Sequence, residues 1–125
     1  MKTTAEEVMQ FLQVYFDLLQ EQDMNKFDQV FHKDSVLYSQ QDNTFTARPV
    51  AEYKEIVRGR KSPAEGKYPR KDEILMVDVL SETTALAKVR LRLFDNLMED
   101  YLNLLKVDGK WVIVSKVYFR AGEFS

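Results

Sequence analysis

The last third of the chain shows the clearest alternation of apolar and polar residues, and it predicts three consecutive β-strands. Asp108-Gly109 lies between two apolar runs, and both residues tolerate positive φ, which is typical of a two-residue hairpin turn. Asp95-Asn96 marks the turn before it. Residues 83–119 are therefore expected to form an antiparallel meander.

Side chains alternate between the two faces of a strand, so the same pattern assigns residues to faces. In the first of the three strands, alternate residues from Ala85 to Leu93 are all apolar, and this face is predicted to be interior. The next two strands have no purely polar face, so alternation alone does not decide which side is interior. The candidate pocket described below requires an inner side that carries Tyr101, Asn103, Leu105 and Val107 in one strand and Trp111, Ile113, Ser115, Val117 and Phe119 in the other.

Apolar residues at helical spacing predict three helices before the meander. The first begins with a capping box, which fits Thr3–Glu6 and Thr4–Glu7 equally well. Asp23 is expected to cap a short second helix. Pro49 suits the first turn of the third helix, where a missing N–H costs nothing.

Further strands are predicted at 35–39, at 44–46 and at 72–80. The chain therefore reads as three helices with a small strand unit, followed by a four-stranded antiparallel sheet. With the helices gathered on one face of a curved sheet, this is an α+β layout. The whole chain, 1–125, is expected to be a single domain.

Composition excludes several classes of function. The chain has no cysteine and one histidine, which rules out disulfides, thiolate metal sites, cysteine nucleophiles and a histidine-rich metal site, and we expect no metal and no cofactor. A net charge of −2 argues against nucleic acid as a partner. No apolar run approaches membrane-spanning length, and the N-terminus lacks the apolar region of a signal peptide. The cytoplasm is the predicted compartment, with no membrane partner.

Five short motifs follow one another along the chain: Tyr15-Phe16-Asp17, Asp23, Phe31-His32-Lys33-Asp34, Gly59-Arg60-Lys61-Ser62-Pro63 and Lys106-Val107-Asp108-Gly109-Lys110-Trp111. In this order and spacing they resemble the nuclear transport factor 2-like superfamily, close to its SnoaL-like group and its "putative lumazine-binding" subgroup. The resemblance implies a cystatin-like cone, with three N-terminal helices packed on a curved, mainly antiparallel sheet of four to six strands. It also implies a pocket at the open end and a homodimer through the outer face of the sheet.

The ketosteroid isomerases of this superfamily use a helix tyrosine, a general-base aspartate and a protonated aspartate on a later strand. Aligned without gaps, Tyr15 falls on the tyrosine, Asn103 on the second aspartate and Ser39 on the base. A serine without a histidine partner cannot abstract a proton near neutral pH. The resemblance therefore implies oxyanion donors without a base, and we assign no catalytic residue.

A pocket of aromatic and polar side chains at the mouth of the cone is the resulting hypothesis. Its predicted lining is Tyr15, Phe16, Ser39, Tyr53, Tyr101, Asn103, Ser115 and Phe119. Such a lining suits a small hydrophobic or heteroaromatic ligand. For the tyrosines and Asn103, packing in the core is the competing interpretation. Which of Tyr38 and Ser39 points inward depends on the register of strand 35–39.

Basic residues are concentrated in two places. Residues 54–71 carry seven basic and two acidic side chains, a local formal charge of +5. This stretch, including the loop 58–71, either holds an anionic group at the rim of the pocket or is a solvated loop. On the predicted outer face of the sheet, basic residues such as Lys116 lie among apolar ones such as Leu102, a mixture that suits a homodimer interface.

The amino-acid sequence is compatible with three functions. The chain is a binding protein without turnover, or a SnoaL-like cyclase, isomerase or dehydratase in which Tyr15 and Asn103 stabilise an enolate-like oxygen, or an interaction module with a vestigial pocket. Binding is favoured because no Asp, Glu or His is convincingly placed inside. Asp100 comes nearest to being an exception. It is at the start of its strand, and its side chain is on the face opposite to that of Tyr101, so it would reach the pocket only through a bulge.

Overall fold

The computed structural model describes residues 1–124 and folds them into three helices packed on one six-stranded sheet. The elements in chain order are α1 (Thr4–Glu21), α2 (Met24–Val30), β1 (Phe31–Gln41), β2 (Thr44–Pro49), α3 (Val50–Gly59), β3 (Asp72–Ser81), β4 (Thr84–Leu93), β5 (Asn96–Val107) and β6 (Lys110–Glu123). The predicted α+β class and the three N-terminal helices are confirmed.

Local capping chemistry sets the helix boundaries. The Thr3 hydroxyl accepts the Glu6 N–H at 3.1 Å, and the Glu6 carboxylate accepts the Thr3 N–H at 3.2 Å, so the capping box forms at the first of its two possible positions. Asp23 caps α2 by accepting the Asn25 N–H at 2.8 Å, as predicted. Pro49 directly precedes α3 and fixes the backbone at its entry.

The strands pair in the order β2-β1-β6-β5-β4-β3. All neighbours are antiparallel except β1 and β6, which run parallel. The sheet is therefore mixed but mainly antiparallel. Its first hairpin, β1–β2, is joined to the meander through the centrally placed β6, so the two predicted strand units form one continuous surface for the helices.

Two turns test the hairpin predictions. Asp108–Gly109 has positive φ at both residues, 51° and 78°, as predicted. The turn between β4 and β5 lies one residue earlier than predicted, at Phe94–Asp95. Phe94 adopts φ 57°, a left-handed conformation that bulky residues rarely take. Its ring packs edge-on against that of Tyr68, with the two ring centroids 5.4 Å apart. Tertiary packing, rather than turn propensity, decides this position.

The core lies between the helices and the inner face of the sheet. The predicted interior face of β4 is confirmed, because its alanines and valine are buried against α1. Burial of this apolar surface is the main stabilising contribution to the fold. The main buried residues of the helices are Val8, Leu12, Tyr15, Phe16, Leu18, Leu19, Phe27, Val30, Val50, Tyr53 and Val57.

The predicted faces of β5 are wrong. Leu102 and Leu104 are fully buried, whereas Tyr101 is 48% exposed and Leu105 37% exposed. Asn103 shares the exposed side. The physical reason is the cost of burying an amide: the inner face takes two leucines, and the polar side chain stays at the surface.

The prediction for β6 holds only for its first half. Trp111 and Ile113 are buried as predicted. Beyond Ile113 a bulge shifts the β5–β6 register and reverses the alternation, so that Lys116 points inward and is buried. The hydroxyl of Ser35, also buried, donates to the Ile113 carbonyl at this break in the ladder. The bulge moves three residues to the outer face: Ser115, Val117 and Phe119.

Candidate functional site

An ionisable cluster is buried between α1 and the inner face of β5 and β6. Asp100 lies opposite Tyr118 in the β5–β6 ladder and is 2% exposed. The Tyr15 hydroxyl donates to Asp100 Oδ2 at 2.7 Å, and Lys116 Nζ lies 3.8 Å from the same oxygen. A phenol, a carboxylate and an ammonium group therefore meet in the interior.

Three aromatic rings surround the Lys116 ammonium group. Its Nζ lies 5.3 Å from the ring centroid of Tyr15, 5.6 Å from that of Tyr53 and 5.8 Å from that of Tyr118. At these distances the ring faces attract a cation, most strongly where water is excluded. Together with Asp100, the rings hold this buried charge in place.

The Tyr15 hydroxyl is held in its protonated form. Burial, with the nearby negative charge of Asp100, raises the pKa of Tyr15 well above its ordinary value of 10.0. Because it already donates to Asp100, its single proton is committed to that carboxylate. Tyr15 is therefore a structural donor in this arrangement.

The raised pKa of Tyr15 predicts that the protein loses stability at alkaline pH. A raised folded-state pKa contributes stability that is complete below the ordinary value of 10.0 and is lost as pH rises above it. We expect the free energy of unfolding of the wild type to fall more steeply above this pH than that of Tyr15→Phe. Urea titrations between about pH 8 and pH 11 measure both slopes. Parallel curves would contradict the prediction, and other titrating groups cancel in the comparison.

A cavity opens beside the cluster, between α3, β1 and the second half of β6. Its volume is about 160 Å³. Tyr53, Lys116 and Tyr118 belong both to its wall and to the cluster, whereas Tyr15 and Asp100 lie behind them. The remaining lining residues are Leu37, Arg48, Ile56, Arg60, Leu93 and Met98.

Two arginines complete the wall of the cavity. Arg48 Nε lies 3.2 Å from Oε1 of Glu52, an exposed ion pair. Arg60 Nε donates to Gln22 Oε1 at 3.2 Å, and its guanidinium lies 5.2 Å from the centroid of Phe94. Within residues 1–124, Arg60 forms no ion pair, and its Nη2 is buried without a hydrogen-bond partner.

Four of the predicted site residues lie inside the fold. Tyr53 lines the cavity, and Tyr15 lies one layer behind it. Phe16 is buried in the core with its ring 5.9 Å from that of Tyr15. Ser39 is buried on the same side of β1 as Leu37, which settles the register of this strand, but it is not part of the cavity wall.

The other four predicted site residues lie on the outer face, so the structure does not bring the set together. Asn103 donates from Nδ2 to Ser115 Oγ at 2.8 Å in an exposed pair, on the opposite side of the sheet from Tyr15. Tyr101 and Phe119 are about half exposed, at 48% and 50%. The pairing of Tyr15 with Asn103 as oxyanion donors is therefore wrong.

The placement of Asp100, Lys116 and Tyr118 on the outer face of the sheet is wrong, for two different reasons, and Asp100 reaches the interior on the same side as Leu102. Asp100 alternates with two leucines, and that pattern was a usable signal that it shares their buried face. Lys116 and Tyr118 reach the interior only because of the bulge after Ile113, which the alternation does not reveal.

Solved structures with similar architecture define the class of fold. An NTF2-like protein of unknown function from Shewanella baltica matches with a TM-score of 0.80 and 23% identity, covering 98% of this chain and 100% of that one. One from Methylobacillus flagellatus gives a TM-score of 0.76 and 24% identity, over 94% and 92% of the two chains. A ketosteroid isomerase-like protein from Erwinia carotovora matches with a TM-score of 0.71 and 12% identity, covering 93% of this chain and 95% of that one. The fold is therefore nuclear transport factor 2-like, and a further similar structure is described as a cystatin-like fold.

Within that class, the chain belongs to the family described as "Putative lumazine-binding", whose model matches residues 3–119. The predicted family resemblance is confirmed. No curated protein matches the chain at a significant level. None of the three helices in residues 1–124 has the length and hydrophobicity needed to span a bilayer.

Proposed function

We propose that this protein binds a small, flat, apolar or heteroaromatic molecule in the cavity between α3, β1 and β6. The observation that carries the proposal is the construction of this cavity. Its wall combines aliphatic side chains with two tyrosine rings and one buried ammonium group that the rings and Asp100 hold in place. Binding sites for small molecules typically join a mostly apolar lining to a few well-placed polar groups.

The volume of the cavity restricts the size of its ligand. About 160 Å³ is below the range of roughly 300–1,000 Å³ of pockets for drug-sized molecules. A molecule of one or two fused rings is the appropriate size. Aromatic walls favour a planar ligand, because ring faces stack against Tyr53 and Tyr118.

Binding is better supported than turnover. The Tyr15 hydroxyl is occupied by Asp100, and both groups are sealed behind Lys116 and the tyrosines of the wall. Asn103, the second donor of the enzyme hypothesis, lies on the other face of the sheet. An oxyanion site needs preorganised donors that converge on one point in the cavity, and these residues do not converge.

Titration with two neutral, flat probes tests the proposal. Lumazine, which the family description names, and naphthalene-2-carboxamide are added to the purified protein and followed by calorimetry. We expect saturable binding of at least one probe, and a loss of about tenfold or more in affinity in Ile56→Trp, where the larger ring fills the cavity mouth. Ile56 is 39% exposed, so the substitution leaves the core intact.

Leu80→Trp is the matched control, because it adds the same ring at an exposed position outside the cavity and should leave binding unchanged. If neither probe bound, or if Ile56→Trp bound a probe as tightly as the wild type does, the proposal would be overturned.

We also propose that the outer face of the sheet joins two copies of this chain. Tyr101, Val117 and Phe119 are each nearly half exposed and, with Lys88, line a groove of about 250 Å³ on this face. Exposed aromatic residues are enriched at protein interfaces, and the aliphatic stem of a lysine can cover apolar surface at the rim of such an interface. The family resemblance implies the same arrangement.

Light scattering on a sizing column tests the dimer. The wild type should have twice the chain mass of 14.7 kDa, and Phe119→Glu should shift it toward the monomer because a charge is then buried without a partner. Met9→Glu, at a 40% exposed position on α1 away from this face, should remain dimeric. A monomeric wild type, or an unchanged mass in Phe119→Glu, would refute this assembly.

A further inference from the structure

We propose that the flat ligand of this cavity carries an anionic group, a carboxylate or a similar oxyanion, which Arg60 and Lys116 hold. This inference rests on the proposed function, since it specifies the chemistry of the molecule that the cavity takes. It follows from the charges of the wall and from the bonding state of each charged group.

The wall is strongly asymmetric in charge. Three of its residues are cationic, Arg48, Arg60 and Lys116, and none is acidic. Arg48 is engaged by Glu52 at the surface, and Lys116 lies near Asp100. One cation, Arg60, is left without a carboxylate among the residues that the structure describes.

Contacts within the protein hold the Arg60 side chain in place. Its guanidinium packs over Phe94, the residue whose backbone is held at φ 57° by the turn between β4 and β5. Gln22, just past the end of α1, orients it by accepting the Nε hydrogen bond. A non-glycine residue in this conformation persists only where its surroundings stabilise it. The strained turn thus supplies the platform for an arginine that has unused donors.

Lys116 is also only partly neutralised. Its Nζ is 3.8 Å from Asp100 Oδ2, a separation longer than a hydrogen bond, and Tyr15 already donates to that oxygen. The ammonium therefore keeps hydrogen-bonding capacity, and Lys116 lies on the cavity wall. Charge-assisted hydrogen bonds to an oxyanion would use the free donors of both residues.

The other basic residues of the stretch 54–71 do not line this cavity. Of the predicted basic stretch, Lys54 pairs with Asp28, and Arg70 pairs with both Asp17 and Asp72. Arg60 alone from that stretch lines this cavity. The anion site is therefore assigned to one arginine of the loop together with a lysine from the sheet.

A matched pair of probes tests the charge preference. Naphthalene-2-carboxylate and naphthalene-2-carboxamide have nearly the same shape, and they differ in charge. We expect the wild type to bind the carboxylate about tenfold or more tightly than the amide, the usual range for a charge-assisted hydrogen bond. In Arg60→Gln the carboxylate should lose most of this preference while the amide binds as before. Arg60→Lys, which keeps the charge, should retain part of it.

Arg58→Gln is the control, since Arg58 pairs with Glu55 on the surface of α3 and lies outside the cavity. Circular dichroism checks that each variant is folded. Binding of the amide with no preference for the carboxylate, or a preference that persists in Arg60→Gln, would overturn the anion assignment while the proposed function stands. Absence of binding of both probes would overturn the two proposals together.

Discussion

Replacing Asp100 by alanine is expected to lower the free energy of unfolding by about 3–5 kcal/mol, the usual cost of removing one partner of a buried ion pair. The carboxylate accepts the Tyr15 hydroxyl and faces the Lys116 ammonium, and all three side chains are buried. Without it, Lys116 keeps a buried charge with only ring faces around it, and Tyr15 loses its acceptor. Urea denaturation followed by circular dichroism measures the change.

Two companion variants make this result specific. Glu99→Ala removes the neighbouring carboxylate, whose partner Arg90 is partly exposed, and should cost about 1 kcal/mol or less. Asp100→Ala combined with Lys116→Met should be less damaging than the sum of the single changes, because the double variant leaves no unpaired charge in the core. Equal costs for Asp100→Ala and Glu99→Ala would mean that the buried cluster contributes no more to stability than a surface pair.

The second large effect is expected from truncating β5 on its inner face. Leu102 is completely buried, so Leu102→Ala should lower the free energy of unfolding by about 2–5 kcal/mol through lost burial and a residual cavity. Leu105→Ala removes the same atoms three residues later, from a side chain that is 37% exposed on the outer face, and should cost distinctly less.

This pair decides the orientation of the strand directly, because both variants change the same residue type in one element. The same urea denaturation assay applies to both. If Leu105→Ala proved the more damaging, the inner face of β5 would be the one that carries Asn103, and the cluster at Asp100 would have to face solvent. If the outer face forms a dimer, the loss of unfolding free energy caused by Leu105→Ala would increase only at high protein concentration, where the dimer is populated.

Local sequence signals were sufficient for the helix caps and for the last hairpin turn of this fold. The capping residues Thr3 and Asp23 and the Asp108–Gly109 turn act over three or four residues, and each lies where its chemistry predicts. The family could also be recognised from the sequence, since its motifs extend over nearly the whole chain. These features depend on residues that are close together in the sequence, so the sequence alone is enough to predict them.

The faces of the central strands were less accessible. Both sides of β5 carry leucines, so the alternation alone leaves two orientations, and a homology-based placement of Asn103 selected the wrong one. The presence of an amide in the middle of one side was the better guide, because an unpaired amide is costly to bury. In β6 no local pattern marks the bulge that moves Lys116 inward.

The amino-acid sequence thus determined the helices, the Asp108–Gly109 hairpin turn, the α+β class and the family, because caps, turns and periodicity are short-range effects. The buried cluster and the wall of the cavity beside it were decided by the tertiary structure alone. Tyr15, Tyr53, Asp100 and Lys116 come from four different elements, and their meeting depends on a one-residue shift in a strand ladder. Side chains in a strand change face with every residue, so such a shift exchanges interior for surface, and only the packed sheet reveals where it occurs.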